Sequence, residues 1–126
     1  MNQPPFVPAA RLACLKVHVR GLVVDAEVGV YGHEHGRRQP LVIEVELTVE
    51  PGPVEHIADT VNYETIAEAA RALAASGHVK LVETFADRLA RACLRDPRVL
   101  AARVKVDKPE ALAPAVAGVE LTLERR

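Results

Sequence analysis

The chain has 126 residues, a length that fits one domain of ordinary size. Its 16 Lys and Arg residues against 17 Asp and Glu residues give a net charge of -1, which argues against the basic face that nucleic-acid binding needs. Aromatic residues make up only 3% of the chain, so few rings are available for base stacking. No apolar run reaches the roughly 18 residues of a membrane span. We therefore expect neither a nucleic acid nor a membrane as a partner.

The N-terminus and the cysteines both bear on the cellular compartment. The first residues lack a basic segment followed by an apolar core, so the sequence predicts no signal peptide. The two cysteines, Cys14 and Cys93, lie far apart and lack the CxxC spacing of a thiol-rich metal site. We interpret both as small buried apolar residues and expect a cytoplasmic protein.

The first half of the chain reads as a short arm followed by strands. Residues 1–12 are rich in proline and are predicted to form a flexible N-terminal arm, while residues 13–126 form a single domain. Residues 12–30 are rich in Val and Leu, which predicts one long strand or two pieces bent at Gly21. Residues 41–50 alternate strictly between aliphatic and mostly acidic or polar side chains, the pattern of a half-buried strand.

The second half of the chain predicts two helices and two further strands. Asn62 is suited to cap a helix over residues 63–76, and a second amphipathic helix is predicted over 81–95. Alternation resumes over 102–107 and again over 119–124, which predicts a third and a fourth strand. The order ββααββ indicates an α+β domain in which two helices cover one face of a four-stranded antiparallel sheet. The open edges of such a sheet tend to pair with another chain.

Four short segments carry the functional signal, and each is weak alone. They are GVYGHEHGRRQ at 29–39, DTVNY at 59–63, LVETFA at 81–86 and KVDKPEA at 105–111. Together, in this order and spacing, they resemble the dihydroneopterin aldolase family over about residues 15–126. The resemblance implies the tunnelling fold, in which sheets of several subunits join edge to edge into an oligomeric barrel. It also implies active sites between subunits and a homo-oligomer, either a tetramer or an octamer of two stacked rings.

The resemblance implies a reaction as well. In this family 7,8-dihydroneopterin undergoes retro-aldol cleavage to 6-hydroxymethyl-7,8-dihydropterin and glycolaldehyde, a step of folate biosynthesis. The C=N bond of the reduced pterin ring accepts the electrons of the breaking C–C bond, so neither a Schiff-base lysine nor a metal is required. We expect an aldehyde-lyase with a small-molecule pterin substrate, no cofactor and no metal. Epimerisation at carbon 2' is a second activity, because the cleaved intermediate can recombine.

Matching the segments to the family assigns three catalytic residues. Lys108, the only lysine that precedes a proline, is the general acid/base candidate and is expected to end the third strand. Tyr63 matches a tyrosine that reaches the substrate across a subunit boundary. Glu34 matches a loop glutamate expected to orient the substrate hydroxyls and the lysine through a water.

Four further residues are assigned to substrate binding. Glu83 is the pterin anchor, because a carboxylate can accept hydrogen bonds from the exocyclic amine and the adjacent ring N–H together. Its place at the start of a helix favours the ionised form. Gln39 acts with Glu34, and Val82 and Asn62 belong to the same matching segments.

Three alternatives stay open at the level of sequence. His33 and His35 with His18 suggest a zinc site like that of 6-pyruvoyltetrahydropterin synthase, a relative with the same fold. Dihydroneopterin triphosphate epimerase shares much of the site, and Arg37 and Arg38 are candidates to meet a triphosphate. A non-catalytic pterin-binding protein is the third alternative, against which the complete set of catalytic residues argues.

Overall fold

A computed structural model describes residues 9–53 and 55–126, so most of the predicted N-terminal arm lies outside the described residues. The order of elements confirms the ββααββ prediction, with single helical turns at Gly32–Glu34 and Ile57–Asp59. The strands and helices are β1 (Leu15–Ala26), β2 (Gln39–Val49), α1 (Tyr63–Ala75), α2 (Val82–Cys93), β3 (Val99–Leu112) and β4 (Ala115–Glu124). Within the described ranges, neither helix is long and apolar enough to cross a membrane.

The four strands form one antiparallel sheet in the order β1-β2-β3-β4, which leaves β1 and β4 as its edges. The sequence predicted either one long strand or two pieces bent at Gly21, and the structure has one strand, β1, whose register with β2 shifts between Val19 and Leu22. Gly21 lies inside this shift with a φ of 68°, a left-handed conformation that glycine adopts without a steric penalty. The β-bulge therefore lies at the position that the sequence indicated.

The two faces of the sheet differ sharply in chemistry. Alternate residues of β2 from Leu41 to Val49 are buried beneath the helices, where α1 packs on β1 and α2 packs on β3 and β4. On the other face Arg103 lies 2.7 Å from Glu44, 3.5 Å from Glu46 and 3.2 Å from Glu120. Neither of the two described helices covers this charged face, as expected for a sheet with one apolar side.

The third strand is longer than predicted. Lys108 was expected to end it, but β3 continues to Leu112 before the turn to β4. The prediction was wrong because Pro109 was taken as a terminator. The register with β4 is irregular between Lys108 and Leu112, and a proline is tolerated where the hydrogen-bond ladder is interrupted.

The cysteines also depart in part from expectation. Cys93 is the buried last residue of α2, and burial raises the pKa of its thiol to about 11. Cys14 is exposed just before β1, so its interpretation as a buried apolar residue was wrong. The error arose because Cys14 lies outside the alternating pattern that begins at Leu15.

Candidate active site

The first feature of the site is a partly buried ion pair between two residues far apart in sequence. Nζ of Lys108 lies 2.8 Å from Oε2 of Glu34. Glu34 is only 6% exposed although it ends a short helical turn in a polar loop. Asp107 faces Val42 across the sheet, so Lys108 lies beside the start of β2, where this loop joins the sheet. The contact between the two side chains is direct.

Gln39 completes this cluster from the first position of β2. Its side chain is 2% exposed, and its Nε2 donates to Oε2 of Glu34 at 3.0 Å and to the carbonyl of Val28 at 2.7 Å. One carboxylate oxygen of Glu34 therefore accepts from both Gln39 and Lys108. The backbone N–H of Tyr31 reaches the other oxygen at 3.4 Å. These donors satisfy the buried carboxylate that the loop would otherwise leave unpaired.

Gly29 makes room for the Glu34 carboxylate. A Cβ atom on Gly29 would overlap the Glu34 carboxyl group, and the φ of this glycine is 148°. Both the space and the backbone conformation therefore require glycine at this position. The glycine that opens the first matching segment thus has a direct role in shaping the cluster.

The cluster fixes the charge of Glu34. The hydrogen bond from Lys108 is the main cause that lowers the pKa of Glu34 from its ordinary 4.5 to about 2. Burial acts in the opposite direction, while the hydrogen bonds from Gln39 and the Tyr31 backbone lower the pKa further. Glu34 is therefore a carboxylate at neutral pH that holds the Lys108 side chain in one place.

This shift predicts an acid-dependent loss of stability. Because folding depresses the pKa of Glu34, its contribution to the free energy of unfolding is present above pH 4.5 and disappears as the pH falls towards 2. We expect the melting temperature of the wild type to fall more steeply between about pH 5 and 3 than that of Glu34→Gln. Calorimetry at several pH values measures this difference, with the exposed Glu124→Gln as the control. Equal slopes for wild type and Glu34→Gln would contradict it.

The segment before α2 joins the same end of the sheet. The backbone N–H of Val79 donates to Glu27 at 2.9 Å, and the N–H of Gly29 donates to Val79 at 3.0 Å. α2 begins three residues later, which places Glu83 in its exposed first turn. The half-buried Val82 packs against the core and orients this turn. Glu83 thus lies at a helix N-terminus near the loop that carries Glu34, with its side chain open to solvent.

Asn62 and Tyr63 lie at the N-terminal end of α1, where Asn62 caps the helix and Tyr63 is its first residue. Oδ1 of Asn62 accepts from the backbone N–H of Glu64 at 3.0 Å, which confirms the predicted helix cap. Tyr63 is 62% exposed. The opposite end of α1 contacts the active-site loop, where Arg38 donates to the carbonyl of Ala74 at 3.2 Å. A helix of 13 residues is about 20 Å long, so Tyr63 lies about that far along α1 from the end that contacts Arg38.

The histidines of the zinc alternative do not converge. His18 on β1 pairs with Glu46 on β2. Glu46 lies seven residues from Gln39, so His18 is about 23 Å along the sheet from the active-site loop at the usual rise of a strand. His33 stacks on Tyr31 with ring centroids 5.8 Å apart, and His35 stacks on His78 at 4.1 Å. In the part of the chain that is described, no three His, Cys, Asp or Glu side chains are grouped as metal ligands.

The loop arginines also have partners within the chain. Arg37 lies 2.6 Å from Glu110 in an exposed ion pair, and Arg38 binds the end of α1.

Sequence reasoning did not identify His78, which follows the glycine that ends α1 and belongs to no motif. The structure shows that its ring contacts the carbonyl of Gly29 and stacks on His35, two residues of the active-site loop.

The fold and this carboxylate–lysine cluster define a tunnelling-fold enzyme of the pterin-binding class. A family model described as FolB, dihydroneopterin aldolase, matches residues 17–124. The dihydroneopterin aldolase of Methylorubrum extorquens is 36% identical over 105 residues, which cover 80% of this chain and 81% of the relative. The chain therefore belongs to the dihydroneopterin aldolase family.

Solved structures agree with this assignment. The dihydroneopterin aldolase of Burkholderia thailendensis, bound to guanine, is 31% identical with a TM-score of 0.78 and covers 92% of this chain and 96% of its own. The enzyme of E. coli, in complex with neopterin, is 27% identical with a TM-score of 0.75 and covers 86% and 97%. The chain is accordingly an aldehyde-lyase, and its reaction is the retro-aldol cleavage of 7,8-dihydroneopterin.

Proposed function

We propose that Lys108 is the general acid/base of this cleavage and that Glu34 and Gln39 hold it in position. The observation that carries the proposal is the contact of Lys108 Nζ with Glu34 Oε2 at 2.8 Å inside a buried hydrogen-bond network. The Lys108 side chain is only 14% exposed, and its partner Glu34 is buried in the loop before β2. The roles of acid and base need a group that stays within reach of the substrate throughout the reaction.

The proton steps follow from the substrate. A base removes the proton of the 2'-hydroxyl, the bond between carbons 1' and 2' breaks, and glycolaldehyde leaves. The electron pair passes into the C=N bond of the ring and gives an enamine. Protonation of carbon 1' then yields the hydroxymethyl product, so the proton taken in the first step is returned in the last. Lys108, with a water in the proton path, serves both steps.

Glu83 is the proposed pterin anchor. The structural relatives bind guanine and neopterin, two ligands that share an exocyclic amine beside a ring N–H. A carboxylate accepts from both donors at once, and the exposed first turn of α2 leaves that of Glu83 available. Val82, Gln39 and Asn62 line or support the same substrate site in this proposal.

Tyr63 completes the site from a neighbouring subunit. Tyr63 lies at the end of α1 away from the loop arginine Arg38, which favours a partner site in a second copy, and the edge strands β1 and β4 offer surfaces through which copies can join. The proposed assembly is a homo-oligomeric barrel, a tetramer or an octamer, working in the cytoplasm. The charged sheet face around Arg103 would line its interior.

Mixing two defective chains tests this arrangement. Tyr63→Ala and Lys108→Ala oligomers are each expected to be nearly inactive. In co-expressed mixtures about a quarter of the sites should combine an intact Lys108 with an intact Tyr63 from another chain, and activity should rise accordingly. Activity of doubly tagged mixed oligomers is the measurement. Mixed oligomers no more active than the two parents would exclude a site shared between subunits.

A product assay tests the reaction itself and its independence of metal. The protein is treated with EDTA and incubated with 7,8-dihydroneopterin, and the pterins are separated by chromatography. Appearance of 6-hydroxymethyl-7,8-dihydropterin is expected. A changed stereoisomer as the sole product would instead indicate the epimerase, and turnover only after zinc is restored would overturn the metal-independent mechanism.

A further inference from the structure

Gly29 is held at both of its backbone polar groups by two consecutive residues. Its N–H donates to the carbonyl of Val79 at 3.0 Å. Its carbonyl lies 2.8 Å from Nε2 of His78. A carbonyl oxygen only accepts, so Nε2 of His78 carries the hydrogen. His78 and Val79 together therefore fix the backbone on both sides of the Gly29 Cα atom.

The conformation of the backbone at Gly29 matters because the Glu34 carboxylate lies directly over it. The absent side chain of Gly29 provides the space that the carboxylate fills. The adjacent carbonyl of Val28 accepts from Gln39, which also binds Glu34. A rotation of the backbone at Gly29 would therefore move the atoms against which the Glu34 carboxylate packs. Through Glu34 it would also move the Nζ of Lys108.

The surroundings of His78 hold its ring in place. His35 from the active-site loop stacks on it, with centroids 4.1 Å apart and an angle of 18° between the rings. Nδ1 of His78 is buried and lacks a hydrogen-bond partner among the described residues. The one polar contact that the ring makes there is thus the hydrogen bond to Gly29.

We propose that His78 is a positioning residue for catalysis, acting through Gly29 and Glu34 on Lys108. The proposal rests on the proposed roles of Glu34 and Lys108. It predicts that loss of the Nε2 donor displaces Lys108 relative to the substrate, and small displacements of a reacting group cost about 10- to 100-fold in rate. Pterin binding at the first turn of α2 does not use this hydrogen bond and should persist.

Substitution of His78 by Gln or by Asn tests the role of the hydrogen-bond donor separately from the size of the side chain. The amide nitrogen of Gln occupies the place of Nε2, whereas the shorter Asn reaches only the place of Nδ1. We expect His78→Asn and His78→Phe to lower kcat by about 10- to 100-fold with little change in the Kd for neopterin, and His78→Gln to restore most of kcat. His35→Ala, which removes the stacked ring and keeps the hydrogen bond, should lose far less. Equal kcat for Asn and Gln variants of similar melting temperature would overturn the proposal.

A spectroscopic measurement avoids substitutions at His78 altogether. In protein labelled with 15N-histidine, the imidazole nitrogen shifts and couplings should report hydrogen on Nε2 of His78, and hydrogen on Nδ1 alone would overturn the proposal. The Lys108→Ala variant distinguishes failure of the proposed function from failure of the positioning role of His78. If Lys108→Ala is fully active, the proposed function fails, whereas an inactive Lys108→Ala beside a fully active His78→Phe refutes the positioning role alone.

Discussion

Replacement of Lys108 by alanine should lower kcat by about 10²- to 10⁴-fold, the usual contribution of a general acid/base. The variant loses the group that exchanges protons with the 2'-hydroxyl and the enamine carbon. The neighbouring Gln39 cannot substitute for it, because an amide does not titrate. Single-turnover kinetics and equilibrium binding of neopterin separate the chemical step from substrate affinity, which should be largely kept.

Lys105 provides the matched control for this experiment. It lies on the same strand three residues earlier, but it is exposed on the face opposite the helices, across from Glu44. Lys105→Ala should therefore retain normal turnover. The melting temperature of Lys108→Ala must also be measured, since the buried Glu34 loses its ion-pair partner. Normal kcat in Lys108→Ala would remove Lys108 from the mechanism.

The fold could largely be predicted because its elements follow simple periodicities. The alternation in β2 and the Asn62 cap of α1 each depend on neighbouring residues in the sequence, and both are found in the structure. The end of β3 was misplaced because a proline, which has no backbone N–H, breaks a strand only where the sheet needs a hydrogen-bond donor at that position. Whether it is needed depends on the register with β4, which sequence alone does not reveal.

The candidate site was less accessible to sequence reasoning because its contacts are long-range. Glu34 and Lys108 are 74 residues apart, and nothing in either local pattern indicates that they touch. Their assignment came from resemblance to a family, while the direct contact and the depressed pKa of Glu34 came from the structure. His78 belongs to no sequence motif. Its contact with Gly29, 49 residues away in sequence, forms only when the chain returns from α1 to the active-site loop.

Replacement of Glu83 by alanine should weaken pterin binding by about 10²- to 10⁴-fold, because two hydrogen bonds to a charged acceptor are lost at about 1.5–3 kcal/mol each. Glu83→Gln should also bind poorly, since an amide presents one acceptor oxygen where two donors arrive. Isothermal titration with guanine and with neopterin measures both variants. The two ligands should lose affinity to a similar degree, because they share the edge that Glu83 would contact.

Glu64 offers a control with the same local environment. It is also an exposed acidic residue in the first turn of a helix, so Glu64→Ala should show the same small loss of helix stability, about 0.3–1 kcal/mol. Any difference between the two variants in ligand affinity then reflects recognition of the pterin and not the helix dipole. If Glu83→Ala binds guanine and neopterin as tightly as Glu64→Ala does, the anchor lies elsewhere. A loss confined to Glu83→Ala would place the pterin at the start of α2.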